Sequence, residues 1–106
     1  MPLEDYLMPS EQVKFQSNFD VHFGGKIYRV VLTDRRLLLY ARRGAVFKND
    51  DVVTQKLEDL QGVKYREEGL IGKKGIIKIQ TLKSEMDLSG SANEMKALYQ
   101  QMMQFT

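Results

Sequence analysis

Few side chains in this chain of 106 residues are equipped to do chemistry. His22 is the only histidine and there is no cysteine, so neither a Cys–His couple nor a zinc–thiolate site can be assembled. No Gly-x-Ser-x-Gly or phosphate-loop pattern occurs. Carboxylates stand in adjacent pairs at Asp50-Asp51, Glu58-Asp59 and Glu67-Glu68. Neighbours on a strand point to opposite faces, so none of these pairs is an acid–base couple. Asn49, Asp50 and Asp51 offer one loop's worth of oxygen, short of the roughly six to eight ligands that calcium takes. The reading is a chain that is not an enzyme and needs no cofactor or metal.

The cations carry more. Arg35-Arg36 and Arg42-Arg43 sit at opposite ends of one run, about 20 Å apart at ~3.3 Å per residue, with Lys48 just beyond. They make no compact pocket, and Tyr40 and Phe47 serve a core as readily as a base stack. With a net charge of only +2, this argues against nucleic acid as a partner. Lys26 and Arg29 lie in one hairpin, Lys73 and Lys74 in another; these four are the candidates for an anionic headgroup. The stretch Arg66-Glu67-Glu68-Gly69-Leu70-Ile71-Gly72-Lys73-Lys74-Gly75 reads as a hairpin tip with Leu70 and Ile71 at its apex. Glu67 and Glu68 opposite Lys73 and Lys74 would steady its stem by ~0.2–1 kcal/mol per pair. The two aliphatics either fold under into the core or stand free as a partner contact or a shallow membrane wedge.

These residues must be positioned by strands. Val13, Phe15, Phe19, Val21 and Phe23 alternate with Lys14, Gln16, Asn18, Asp20 and His22, the period of a half-buried strand, with His22 facing outward. Gly24-Gly25 breaks the run. Lys26–Thr33 and Arg36–Arg43 follow as antiparallel neighbours, then a loop from Gly44 to Asp51 carrying Phe47 and Lys48. Further strands are expected at Asp51–Glu58, Gly62–Glu67, Gly75–Leu82 and Glu85–Leu88, about seven in all. The period then switches: Met95, Leu98, Tyr99, Met102 and Phe105 line one face of a helix over Ala92–Gln104, with Ser91 and Glu94 as a capping box. Residues 1–10 read as a tail whose Leu3, Tyr6, Leu7 and Met8 can lay a helical turn on a single domain of residues 11–106.

The segment Val30-Val31-Leu32-Thr33-Asp34-Arg35-Arg36-Leu37-Leu38-Leu39-Tyr40 resembles the LT-(N/D)-x-R-L-hydrophobic hairpin of the short prokaryotic pleckstrin-homology-like (PH-like) domains and their GRAM-type relatives. Leu57-Glu58-Asp59-Leu60 is similar to the I-x-L-x-D-I element of those families. The resemblance covers roughly residues 10 to 106. It implies a mainly β fold with a C-terminal helix: a PH-like barrel of two orthogonal antiparallel sheets, about seven strands, capped by that helix. It also implies binding rather than catalysis. Phosphoinositide-binding members hold headgroups beside the first hairpin loop. Here that loop is His22-Phe23-Gly24-Gly25-Lys26-Ile27-Tyr28-Arg29, with two basic residues and without the longer Lys-then-Arg-x-Arg spacing.

Apolar residues exceed what one barrel face can bury: Ile27-Tyr28, Val30-Val31-Leu32, Leu37-Leu38-Leu39-Tyr40, Val52-Val53 and Ile76-Ile77 are apolar on both faces. Exposed apolar patches of a few hundred Å² mark interfaces. The expectation is a protein-interaction or scaffolding module, a homo-oligomer that self-associates through the outer faces of its strands. Ile27, Val31, Leu38, Tyr40, Leu70 and Ile71 are its interaction candidates, and a further protein partner is left open. The alternative for that outer face is a cover made by the N-terminal tail. The alternative function is a peripheral membrane module that uses Lys26, Arg29, Lys73 and Lys74 at anionic headgroups, with Leu70-Ile71 as a wedge. The longest apolar run, Leu37 to Ala41, is far below the ~20 residues of a membrane helix. The acidic start, with no apolar core after it, and the lack of cysteine suit the cytoplasm.

Overall fold

A computed structural model describes residues 6–43 and 49–104 of the protein, with the backbone alone at 42 and 43. Leu3, Phe47, Lys48, Phe105 and the side chains of the Arg42-Arg43 pair lie outside the described residues. Among the described residues eight strands and one helix follow in order: β1 (Val13–Gln16), β2 (Val21–Phe23), β3 (Lys26–Thr33), β4 (Arg36–Arg43), β5 (Asn49–Lys56), β6 (Leu60–Glu68), β7 (Lys74–Thr81), β8 (Glu85–Ser91) and α1 (Ala92–Met103). A single 3-10 turn, Leu57–Asp59, joins β5 to β6.

All pairings are antiparallel, in the order β5-β4-β3-β2-β8-β7-β6, with β1 beside β3 where β2 leaves it. The path is open: β5 and β6 are its two ends. The expected strand over residues 11–23 is two strands because Ser17 interrupts the ladder. Its N–H donates to Val30 O (2.8 Å), and its hydroxyl accepts from Val30 N–H (2.9 Å) and donates to Phe19 O (2.9 Å). A serine side chain thus replaces a ladder partner, and the register against β3 moves by two residues between Gln16 and Val21.

The inner faces of the strands and one stripe of α1 share a core that includes Val30, Leu32, Leu37, Leu39, Ile77 and Leu88. Met95, Leu98 and Met102 of the helix are buried there, as their spacing requires. The helix can lie close because residue 75 is glycine: a Cβ there would stand 2.8 Å from Met95 Cβ and 3.2 Å from Ala92 Cα. The expected capping box is not formed. Ser91 is the N-cap residue in extended geometry, but its side chain makes no cap hydrogen bond, and Ala92 N–H donates instead to Lys73 O at 3.1 Å. Pairing of Ser91 with Lys74 holds the serine in β8 and points its hydroxyl along the outer sheet face.

The outer face of β3 and β4 is covered from within the chain. Val31 and Leu38 are cross-strand partners there, with only 2% and 0% of their surface exposed. Tyr6–Gln12 runs over them. The Tyr6 ring packs on Tyr40 (6.2 Å between centroids) and its hydroxyl donates to Asp50 Oδ2 at 2.6 Å. Arg36 Nη2 donates to Tyr6 O at 2.7 Å, and Glu11 binds Arg36 and Thr33. Val31 and Leu38, expected as interaction residues, are therefore interior residues of this fold. The N-terminal segment supplies the cover that an outer sheet face needs.

Candidate functional site

The hairpin of β6 and β7 ends on the rung Glu68–Lys74, after which Gly69-Leu70-Ile71-Gly72-Lys73 closes the turn. Gly69 (φ 99°) and Gly72 (φ 63°) take left-handed backbone geometry on either side of the aliphatic pair. That geometry turns Leu70 and Ile71 away from the sheet, leaving 99% and 95% of their surface exposed. Of the two placements open in the sequence, the tip is the free one.

The stem beneath the tip is tied to the helix. Tyr65 stacks on Tyr99 with centroids 5.5 Å apart, and its hydroxyl lies 2.9 Å from Glu67 Oε2 and 3.0 Å from Ala92 O. Glu67 also meets Lys96 Nζ at 3.1 Å and Lys73 Nζ at 3.9 Å. Burial, reinforced by the Glu67 carboxylate, pushes the Tyr65 hydroxyl up to about 12. The bond from Tyr65, then that from Lys96, holds Glu67 below the usual carboxylate range. The tip is therefore presented by a braced stem, which reduces the ordering cost of docking.

The four expected cations do not form one cluster. Lys73 and Lys74 flank the tip. Arg29 lies on the outer face with its charge met by Asp20 Oδ1 at 2.7 Å. Lys26 has the strand parity of Tyr28 and Val30, opposite to that of Arg29, and sits at the rim beside Gly25. Glu68 stands opposite Lys74, as expected, but its ion pair is with Arg66 at 2.8 Å. Lys74 has no ion pair among the described residues.

Lys74 lines a groove of about 400 Å³ with His22, Ser89, Gly90 and Ser91. Register explains the assembly: His22 pairs with Ser89 and Ser91 with Lys74, so all four side chains share the outer face. His22 is exposed, as its place in the alternation predicts. Ser89 and Ser91 carry no spacing signal, and only the β2–β8 and β7–β8 pairings show where they point. Ile27 and Ile76 continue the His22–Ser89 rung across the sheet, Ile27 with 46% of its surface exposed. Tyr40 is half-buried beneath Tyr6 and donates to Asp50 Oδ1 at 3.1 Å. Asp51 turns the other way and accepts from Tyr28 at 2.9 Å, so the Asp50-Asp51 pair is split between two faces.

Two other grooves, of about 380 and 560 Å³, flank the β5–β6 corner. Both mix acids with bases: Asp34, Arg35, Lys56 and Glu58 in one, Glu58, Asp59 and Lys83 in the other. Among the described residues no three His, Asp or Glu side chains gather as a metal site, and no helix is long and apolar enough to cross a membrane. Comparison with family models, curated proteins and solved structures finds no match to this chain.

Proposed function

We propose that the chain is a non-enzymatic docking module on a PH-like scaffold, and that it attaches reversibly to anionic membrane surfaces by the β6–β7 tip. The observation that carries this reading is the near-complete exposure of Leu70 and Ile71 next to Lys73 and Lys74. The scaffold is supported by the antiparallel order β5-β4-β3-β2-β8-β7-β6, by the open corner between β5 and β6, and by the helix packed against β7 and β8. In this reading the strands on either side of β3 are the two orthogonal sheets.

Magnitudes fit a weak, reversible attachment. Burying a Leu or Ile side chain is worth ~1.5–3 kcal/mol, and each Lys near an anionic surface adds about 1 kcal/mol. The sum, roughly 5–8 kcal/mol before ordering costs, corresponds to a micromolar-to-millimolar affinity. The test is flotation with vesicles of phosphatidylcholine alone and of phosphatidylcholine and phosphatidylserine in equal parts. Salt-sensitive retention on the anionic vesicles, lost in a Leu70→Ser/Ile71→Ser variant, is expected. Equal or absent retention on both vesicle types refutes the reading.

A further inference from the structure

We infer that the groove between β2, β7 and β8 is a phosphate site, and that it holds a phosphomonoester lipid headgroup while the tip enters the bilayer. The inference rests on the membrane reading and names the headgroup chemistry. Lys74, His22, Ser89 and Ser91 converge on one concavity of about 400 Å³, with Gly90 between the two serines. None of the four side chains makes a hydrogen bond or ion pair among the described residues. An ammonium, two hydroxyls and an imidazole are the donors a phosphate needs, and a charged donor gives the strongest of such bonds.

Two features separate this groove from an ordinary polar face. Ser91 stands at the N-cap of α1, where its hydroxyl would normally bond the helix, yet that hydroxyl is uncommitted and shares the rung of Lys74. Among the described residues no carboxylate lines the groove, and Glu68, the rung partner of Lys74, is already engaged by Arg66 at 2.8 Å, as Asp20 is by Arg29 at 2.7 Å. Lys74 thus keeps its charge for a ligand.

The depth also matches. Ile71 precedes Lys74 by three residues, which spans at most about 10 Å of chain. Apolar groups of peripheral proteins enter about 5–10 Å into the headgroup–acyl boundary. A phosphate held by Lys74 therefore sets Leu70 and Ile71 at the level of the first acyl carbons.

The experiment uses the full chain with two probes, glycerol 3-phosphate in solution and vesicles of phosphatidylcholine with phosphatidate. Glycerol 3-phosphate should shift the amide signals of His22, Ser89, Gly90 and Ser91 in a titration followed by nuclear magnetic resonance. Lys74→Gln should remove those shifts and weaken phosphatidate-vesicle binding about tenfold. Ser89→Ala/Ser91→Ala, which leaves every charge in place, should weaken both and so separates recognition from simple attraction. Leu70→Ser/Ile71→Ser should lose the vesicles and keep the shifts. Vesicle binding that ignores Lys74→Gln and the serine variant, with no shifts at these residues, overturns the groove and leaves the tip reading standing. Shifts without vesicle binding overturn the membrane role and leave a site for free phosphate monoesters.

Discussion

Glu11 and Arg36, 25 residues apart in sequence, are joined by a two-pronged ion pair that pins the N-terminal segment across the outer sheet face. Arg36 Nε donates to Glu11 Oε2 at 2.9 Å and Nη2 donates to Oε1. Thr33 Oγ1 and Met8 N–H donate to the same carboxylate at 2.6 and 2.9 Å. The Glu11 side chain has 0% exposure and that of Arg36 12%, so loss of either partner leaves a shielded charge without its counter-charge.

This pair predicts an acid-sensitive contribution to stability. The bonds from Arg36, opposed by burial and helped by Thr33 and Met8, bring Glu11 from 4.5 down to about 2. A carboxyl lowered by folding stabilises fully above its unfolded value, and that stabilisation drains away as pH falls toward the folded one. Glu11→Gln should cost of order 2–3 kcal/mol at neutral pH. Urea melts of both proteins should differ most above about pH 4.5 and converge near pH 2. A gap that does not change with pH would assign the cost to packing.

The cover itself can be removed. A chain lacking residues 1–10 uncovers Val31, Leu38 and Tyr40 together and should self-associate at micromolar concentration, as exposed apolar patches do. The full chain should elute at its monomer mass of 12.3 kDa in light scattering on a sizing column. A discrete, salt-resistant oligomer of the full chain would show that a second copy meets an outer face despite the cover.

The elements were easier to read than their neighbours. Lys26–Thr33 and Arg36–Arg43 match β3 and β4 residue for residue, because β-branched runs bounded by turn residues mark strands locally. The helix was legible from the spacing of Met95, Leu98 and Met102. The break at Ser17 was not, since a serine in an alternating run looks like any outward polar residue until its hydroxyl is seen to replace a ladder bond. Surplus apolar residues in β3 and β4 read first as a face for a second copy and alternatively as one under the N-terminal tail; composition does not choose between them, and Tyr6–Gln12 is distant in sequence from Val31 and Leu38. The groove was hidden for the same reason: Ser91 reads as a cap by local rules, and only its pairing with Lys74 turns it outward.

Tyr65 offers a spectroscopic check on the braced stem. With its hydroxyl raised to about 12 by burial and Glu67, it should stay protonated in an ultraviolet titration well past the ordinary tyrosine value of 10.0. Because the neutral form is the one the fold favours, its contribution is complete below 10.0 and is lost as pH rises toward 12. Tyr65→Phe should remove that late step and cost about 1 kcal/mol, the net worth of one hydrogen bond. A titration with no late tyrosine would mean that the stem opens in solution.

Two glycines test the close approach of α1 to β7. Replacing glycine by alanine restricts the unfolded chain and by itself stabilises by ~0.4–1 kcal/mol. At Gly62 the new Cβ meets only the end of the Gln80 side chain, at 3.1 Å, which can swing aside. Gly62→Ala should therefore be neutral or slightly stabilising. At Gly75 the Cβ would stand 2.8 Å from Met95 Cβ, 3.0 Å from Tyr65 Oη and 3.2 Å from Ala92 Cα, all fixed in the packed interior. The helix would have to lift, and overpacking of this kind costs about 1–3 kcal/mol. For a domain of this size that is a fall in melting temperature of about 4–8 °C per kcal/mol. Calorimetry of the two variants should thus give shifts of opposite sign or very different size. Equal shifts would mean that α1 does not sit on Gly75.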